Sequence, residues 1–133
     1  MQPMMQYNLD IRSPQAEVFK ALRKIICQDK QIKEIKNTKQ TSYKDAYSTV
    51  CMMRVRQGKV HLSFANGFKM QETFTELLGE GKIVRYLEFI GIEEIQTERL
   101  KAMIAESLLL NMEKYELRKL RCDARHKVSK TWF

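Results

Sequence analysis

Thr49-Val50-Cys51-Met52-Met53-Arg54-Val55-Arg56-Gln57-Gly58-Lys59-Val60-His61-Leu62-Ser63-Phe64-Ala65 contains two alternating runs joined by a glycine turn. In the first run, counted from Tyr47, one side carries Tyr47, Thr49, Cys51, Met53 and Val55, and the other carries Ser48, Val50, Met52, Arg54 and Arg56. In the second, Val60, Leu62 and Phe64 oppose Lys59, His61 and Ser63. A period of two, with β-branched and aromatic residues, is the signature of strands with one buried side. The Gln57-Gly58 break between them predicts an antiparallel hairpin.

Towards the C-terminus, Asn66-Gly67 ends the second strand and residues 68–80 read as a connecting loop held by Phe74, Leu77 and Leu78. Gly79-Glu80-Gly81 predicts a tight turn before a third strand, Lys82 to Phe89, with Ile83, Arg85, Leu87 and Phe89 on one side. Beyond it, Leu100, Ile104, Leu108, Met112 and Tyr115 recur at helical spacing, flanked by Met103. Glu93, Glu94 and Glu98 precede this stripe and basic residues follow it, an order that suits the helix dipole. The expected helix runs from about Gln96 to about Cys122, roughly 39 Å at 1.5 Å per residue. Towards the N-terminus, Ser13-Pro14 signals a helix start. Val18, Leu22, Ile25 and Ile26 then give a helix over 14–27. Ile32 and Ile35 in the Lys-rich stretch 29–41 suggest a short helical turn leading into extended chain. The sum is an α+β class: an antiparallel sheet of mid-chain strands with N-terminal and long C-terminal helices packed on it.

The chain has 133 residues, 44% hydrophobic and 30% charged, with only 5 Gly and 2 Pro. This suits one soluble globular domain over 1–133 and excludes collagen-like and wholly disordered chains. The net charge of +8 is uneven. The middle, 46–112, is balanced, while 1–45 and 113–133 carry the basic excess, the latter read as a basic helical extension. Three scattered cysteines, Cys27, Cys51 and Cys122, and two histidines form neither a disulfide framework nor a zinc knuckle. Reduced thiols, no secretory pattern in Met1–Asp10 and no apolar run near the ~20 residues of a membrane span point to a cytoplasmic, non-membrane protein.

Several segments invite a chemical reading. Gly79-Glu80-Gly81-Lys82 lacks the spacing and the Ser/Thr of a phosphate loop, so a structural turn is expected. His61 has no sequence neighbour to act as nucleophile or acid, and His126 sits among Arg125 and Lys127. Glu93, Glu94 and Glu98 offer oxygens for a hard cation, yet as first-turn residues they already serve the helix dipole. With no nucleophile–base pair to nominate, no catalytic residue and no cofactor are assigned. Two cationic sets remain. Arg54, Arg56, Lys82 and Arg85 lie around the sheet as a candidate anion site. Lys114, Arg118, Arg121 and Arg125 would share one helix face, a quarter turn from the stripe ending in Tyr115, as a candidate polyanion site. Trp132-Phe133 is expected to fold back on the domain or to enter a neighbouring subunit.

The run Val60-His61-Leu62-Ser63-Phe64-Ala65-Asn66-Gly67, followed by Leu77-Leu78-Gly79-Glu80-Gly81-Lys82-Ile83-Val84-Arg85, resembles the YdhG-like family of domains of unknown function. Those domains carry a V-x-L-x-F-x-x-G strand, then L-x-G-x-G-K-x-x-R and a helix, here matched by Glu93-Glu94-Ile95 and Leu100 to Ala105. The resemblance spans residues 13–110 and implies a small α+β domain. One branch is described as frataxin-like intracellular iron chaperones, which implies iron held by exposed acidic residues; this basic chain departs from that pattern. The expectation is a non-enzymatic binding or interaction domain for a small anion or a protein, with iron binding and nonspecific nucleic-acid binding through the basic helix as alternatives. A homodimer is compatible with each.

Overall fold

The computed structural model describes residues 4–131, with side-chain surroundings as far as Arg125. Trp132-Phe133 and the side chain of His126 lie outside the described residues. Five strands form one antiparallel meander in chain order: β1 Lys33–Lys36, β2 Thr41–Lys44, β3 Thr49–Arg56, β4 Lys59–Phe64 and β5 Arg85–Phe89. Among the described residues four α-helices accompany them, α1 Gln6–Asp10, α2 Ala16–Ile26, α3 Gly67–Met70 and α4 Thr97–Thr131, with one 3-10 turn at Ile92–Glu94.

The β3–β4 hairpin forms as its pattern predicts, with Cys51 opposite Phe64, Met53 opposite Leu62 and Val55 opposite Val60. Gln57 and Gly58 both take positive φ, 52° and 75°, matching the twist of a two-residue hairpin turn. Cys51, Met53, Val60, Leu62 and Phe64 face inward. Over them pack Phe19, Leu22 and Ile26 of α2 and Leu100, Met103 and Ile104 of α4. Burying each such aliphatic or aromatic side chain is worth roughly 1.5–3 kcal/mol, which makes this interface a major apolar contribution to the fold.

The structure corrects several expectations. The first predicted strand starts at Thr49 rather than Tyr47, because Asp45 Oδ1 accepts the N–H groups of Tyr47 and Ser48, each at 2.8 Å. Tyr47 therefore sits in a turn, and the register slips where β3 pairs with β2 between Tyr43 and Lys44, so Val50 and Cys51 are both buried. The expected helical turn near Ile35 is instead the hairpin β1–β2, closed by Asn37 Oδ1 accepting from Lys39 and Gln40. β1 is an edge strand, largely exposed and rich in lysine, which blunts the alternation that would reveal it. The helix start is displaced too. Ser13 Oγ accepts the Gln15 N–H and donates to the Asp10 carbonyl, holding 13–15 in a turn, so α2 begins at Ala16.

β5 begins at Arg85 rather than Lys82, and Ile83 is exposed. The largest correction concerns α4. Its buried face is Leu100, Met103, Ile104, Ser107, Leu110 and Asn111, while Met112 and Tyr115 are exposed. Past Asn111 the helix leaves the body, and of the side chains 112–125 only Lys114 is partly covered.

Candidate functional site

The steps along the buried face of α4 continue past its last core residue. Met103, Ser107, Leu110, Lys114, Arg118, Arg121 and Arg125 follow one another at intervals of three or four. The four cations therefore extend the face that packs on the sheet, not an edge a quarter turn away. This row spans about 16 Å of helix. Where the body ends, the row changes from buried, mainly apolar residues to cations.

At the root of the overhang lies a cleft of about 200 Å³ lined by Asn66, Phe68, Lys69, Lys82, Ile83 and Lys114. Three lysines reach it from three elements: Lys69 from α3, Lys82 from the loop before β5, and Lys114 from α4. No carboxylate lines it, and its apolar lining is the exposed ring of Phe68 and the exposed side chain of Ile83. Gly67 makes the arrangement possible. A Cβ there would lie 2.4 Å from the Cβ and backbone N of Arg85, so α3 can seat against β5 only at glycine. The Phe68 N–H then donates to the Ile83 carbonyl at 2.7 Å and ties α3 to the loop.

A buried polar relay fixes Lys114. Asn111 Nδ2 donates towards Asp45 Oδ2 at 3.2 Å and the carbonyls of Ser48 and Thr49. Asn111 Oδ1 accepts from Asn66 Nδ2 at 2.8 Å, and Asn66 Oδ1 accepts from Lys114 Nζ at 2.5 Å. Asn66 and Asn111 are each 2% exposed, so neither amide can exchange these partners for water. Partial burial, with Lys69 and Arg118 nearby, holds the Lys114 ammonium below its ordinary range. A bound anion would relieve that repulsion.

The first cationic set does not converge. Lys82 belongs to this cleft. Arg85 faces the core: its Nε donates to Gln71 Oε1, its Nη1 to the carbonyls of Gly81 and Val84, and its guanidinium lies 5.4 Å from the centre of the Phe68 ring. Its charge is spent on shaping the loop that carries Lys82. Arg54 and Arg56 stand on the opposite side of the sheet, across from His61 and Lys59. There the His61 and Tyr86 rings lie with centres 5.6 Å apart and planes tilted by 34°, and Glu88 pairs with Lys59 at 3.0 Å. Burial holds the His61 imidazole below its ordinary value; Glu88 opposes the shift, while Arg54, Arg56 and Lys59 add to it.

The carboxylates singled out in the sequence are dispersed. Glu94 Oε1 accepts the N–H groups of Ile90 and Gly91, while Glu98 lies 3.7 Å from Lys101. Among the described residues, no group of three or more His, Cys, Asp or Glu side chains is placed to hold a metal ion. Cys27, Cys51 and Cys122 are free thiols. No described helix is long and apolar enough to cross a membrane.

No family model, curated protein or solved structure matches the chain. Lys69 and the Asn66–Asn111 relay carry no sequence signal, because each becomes meaningful only beside partners from 45 residues away.

Proposed function

We propose that this protein is a non-enzymatic binding domain whose ligand is a small organic anion held in the cleft beneath α4. The observation that carries the reading is the convergence of Lys69, Lys82 and Lys114 around the apolar Phe68 and Ile83 with no carboxylate among the lining residues. Three ammonium groups around one concavity favour a multivalent oxyanion, such as a phosphate monoester, while Phe68 and Ile83 favour an apolar or planar group attached to it. Arg85 is a positioning residue: it holds Phe68 and the loop bearing Lys82 without reaching the ligand.

A second reading is favoured by the continuation of the same face along Lys114, Arg118, Arg121 and Arg125. That row could follow the backbone of a longer polyanion, without base selectivity and with steep salt dependence. Intracellular iron handling, implied by the resemblance to YdhG-like domains, would need oxygen donors brought together by ligand binding.

The test is titration at low salt with inorganic phosphate and with phenyl phosphate, read by thermal shift and calorimetry. Phenyl phosphate should bind more tightly than inorganic phosphate, and a Lys69→Glu/Lys82→Glu double variant should lose at least tenfold in affinity. If neither probe binds, or if the double variant binds as well as the parent, the proposal is wrong.

A further inference from the structure

We propose that the open face of the sheet is a docking surface for single-stranded nucleic acid, with His61 and Tyr86 stacking bases and Arg54 and Arg56 meeting phosphates. This goes beyond the anion cleft and does not depend on it, since the two lie on opposite faces of the sheet. All the core side chains of β3 and β4 point towards α2 and α4, which leaves the other face to solvent. On it Arg54, His61 and Glu88 form one cross-strand row, and Met52, Ser63 and Tyr86 form the next. Every one of these six side chains is partly exposed.

The charges on this face are unequally spent. Glu88 is already engaged by Lys59 at 3.0 Å, whereas Arg54 and Arg56 make no ion pair among the described residues. Two guanidiniums on β3 thus stand to one side of a pair of partly exposed rings on β4 and β5. That combination fits a chain that is anionic at every repeat and also carries planar groups. An acidic peptide would use the cations and leave the rings idle. A membrane would need a continuous apolar surface, whereas on this face Ile35 and Met52 are separated by Ser42 and bordered by Arg54, His61 and Glu88. A duplex keeps its bases stacked within its own helix, beyond the reach of rings on a sheet. In a single strand the π-faces are available, and stacking on aromatic side chains tolerates any sequence.

The test uses fluorescence anisotropy of the full chain with labelled 12-nucleotide oligo-dT and oligo-U, against a labelled duplex of equal length. Single strands should bind at least tenfold more tightly than the duplex. Arg54→Glu/Arg56→Glu should weaken single-strand binding tenfold or more and flatten its salt dependence. Tyr86→Leu should lose about tenfold, while Tyr86→Phe, which keeps the ring, should bind as the parent does. Circular dichroism of each variant separates lost binding from lost fold, and charge reversal at Arg118, Arg121 and Arg125 should leave the preference for single strands intact. The proposal is overturned by equal binding of duplex and single strand, by no binding at low salt, or by polyglutamate competing as well as oligo-dT. It is equally overturned if Tyr86→Leu and Tyr86→Phe behave alike.

Discussion

Replacing Asn111 tests the link between the buried relay and the cleft. Asn111→Ala removes the acceptor of Asn66 Nδ2 and the donor shared by Asp45 and two backbone carbonyls. Asn66 is 2% exposed, so its freed amide N–H finds no water. Leaving such a donor unpaired costs about 1–3 kcal/mol. Losing the restraint on the turn at Asp45 adds about 1 kcal/mol, the net worth of an ordinary hydrogen bond. A total of about 2–4 kcal/mol corresponds to a fall in Tm of roughly 10 °C for a chain of this size. Asn111→Asp is the informative companion. It keeps an acceptor for Asn66 but sets a second carboxylate against Asp45 Oδ2, which lies 3.2 Å from the wild-type nitrogen. The like charge raises the folded-state pKa of the introduced carboxyl above its unfolded value near 3.9. Stability of this variant is therefore fully present below that value and is lost as pH rises through the raised pKa, so it should lag the parent most at pH 7 and recover in mild acid. Thermal melts from pH 4 to 8, paired with phenyl phosphate titration, read both consequences. Lys114 is held through Asn66, so Asn111→Ala should also weaken the anion severalfold at temperatures where the variant is folded. A Tm within 2 °C of the parent, or a destabilised variant with undiminished anion affinity, would refute the reasoning.

Gly67→Ala forces a Cβ to within 2.4 Å of Arg85 backbone and Cβ atoms that cannot yield, so urea denaturation should show a loss of about 1–3 kcal/mol or more. Glu34 accepts from Arg23 at 2.6 and 2.9 Å and from the Tyr43 hydroxyl at 3.0 Å. Burial alone would raise its pKa, but these donors outweigh it and the carboxyl is held below its ordinary 4.5. Its stabilising effect is thus present above pH 4.5 and lost as pH falls through the depressed value. Glu34→Gln should cost about 1 kcal/mol at pH 7, a figure kept small because Arg23 is partly solvated, and the gap to the parent should close in acid. Asp10 behaves oppositely. It is fully buried, its Oδ1 serves Gln6 and Val55 N–H, and its Oδ2 has no partner. Burial raises its pKa above 3.8, so the charged form penalises the fold increasingly as pH rises past that value. Asp10→Asn should be at least as stable as the parent at pH 7, and the parent should gain on it as pH is lowered towards 4 in thermal melts.

What the chain's own order determines is what rests on near neighbours. Alternation across Thr49–Phe64 and the Gln57-Gly58 turn specify a hairpin, because side-chain direction in a strand reverses at every residue and the turn demands positive φ. Helical spacing and charge order specify α2 and α4 for the same local reason. Tertiary structure decides the rest. β1 is a strand because Arg23 and Tyr43 meet Glu34 there, partners that no window around Lys33–Lys36 contains. The face of α4 on which Lys114, Arg118, Arg121 and Arg125 lie is set by which side the sheet buries, not by the period alone. Arg85 turns inward while Lys82, three residues earlier, stays at the surface, because Gln71 and the carbonyls of Gly81 and Val84 take up the Arg85 donors. The cleft exists only when Lys69, Lys82 and Lys114 are carried together by three separate elements, and electrostatic convergence of that kind depends on distance in space, which a linear pattern does not encode.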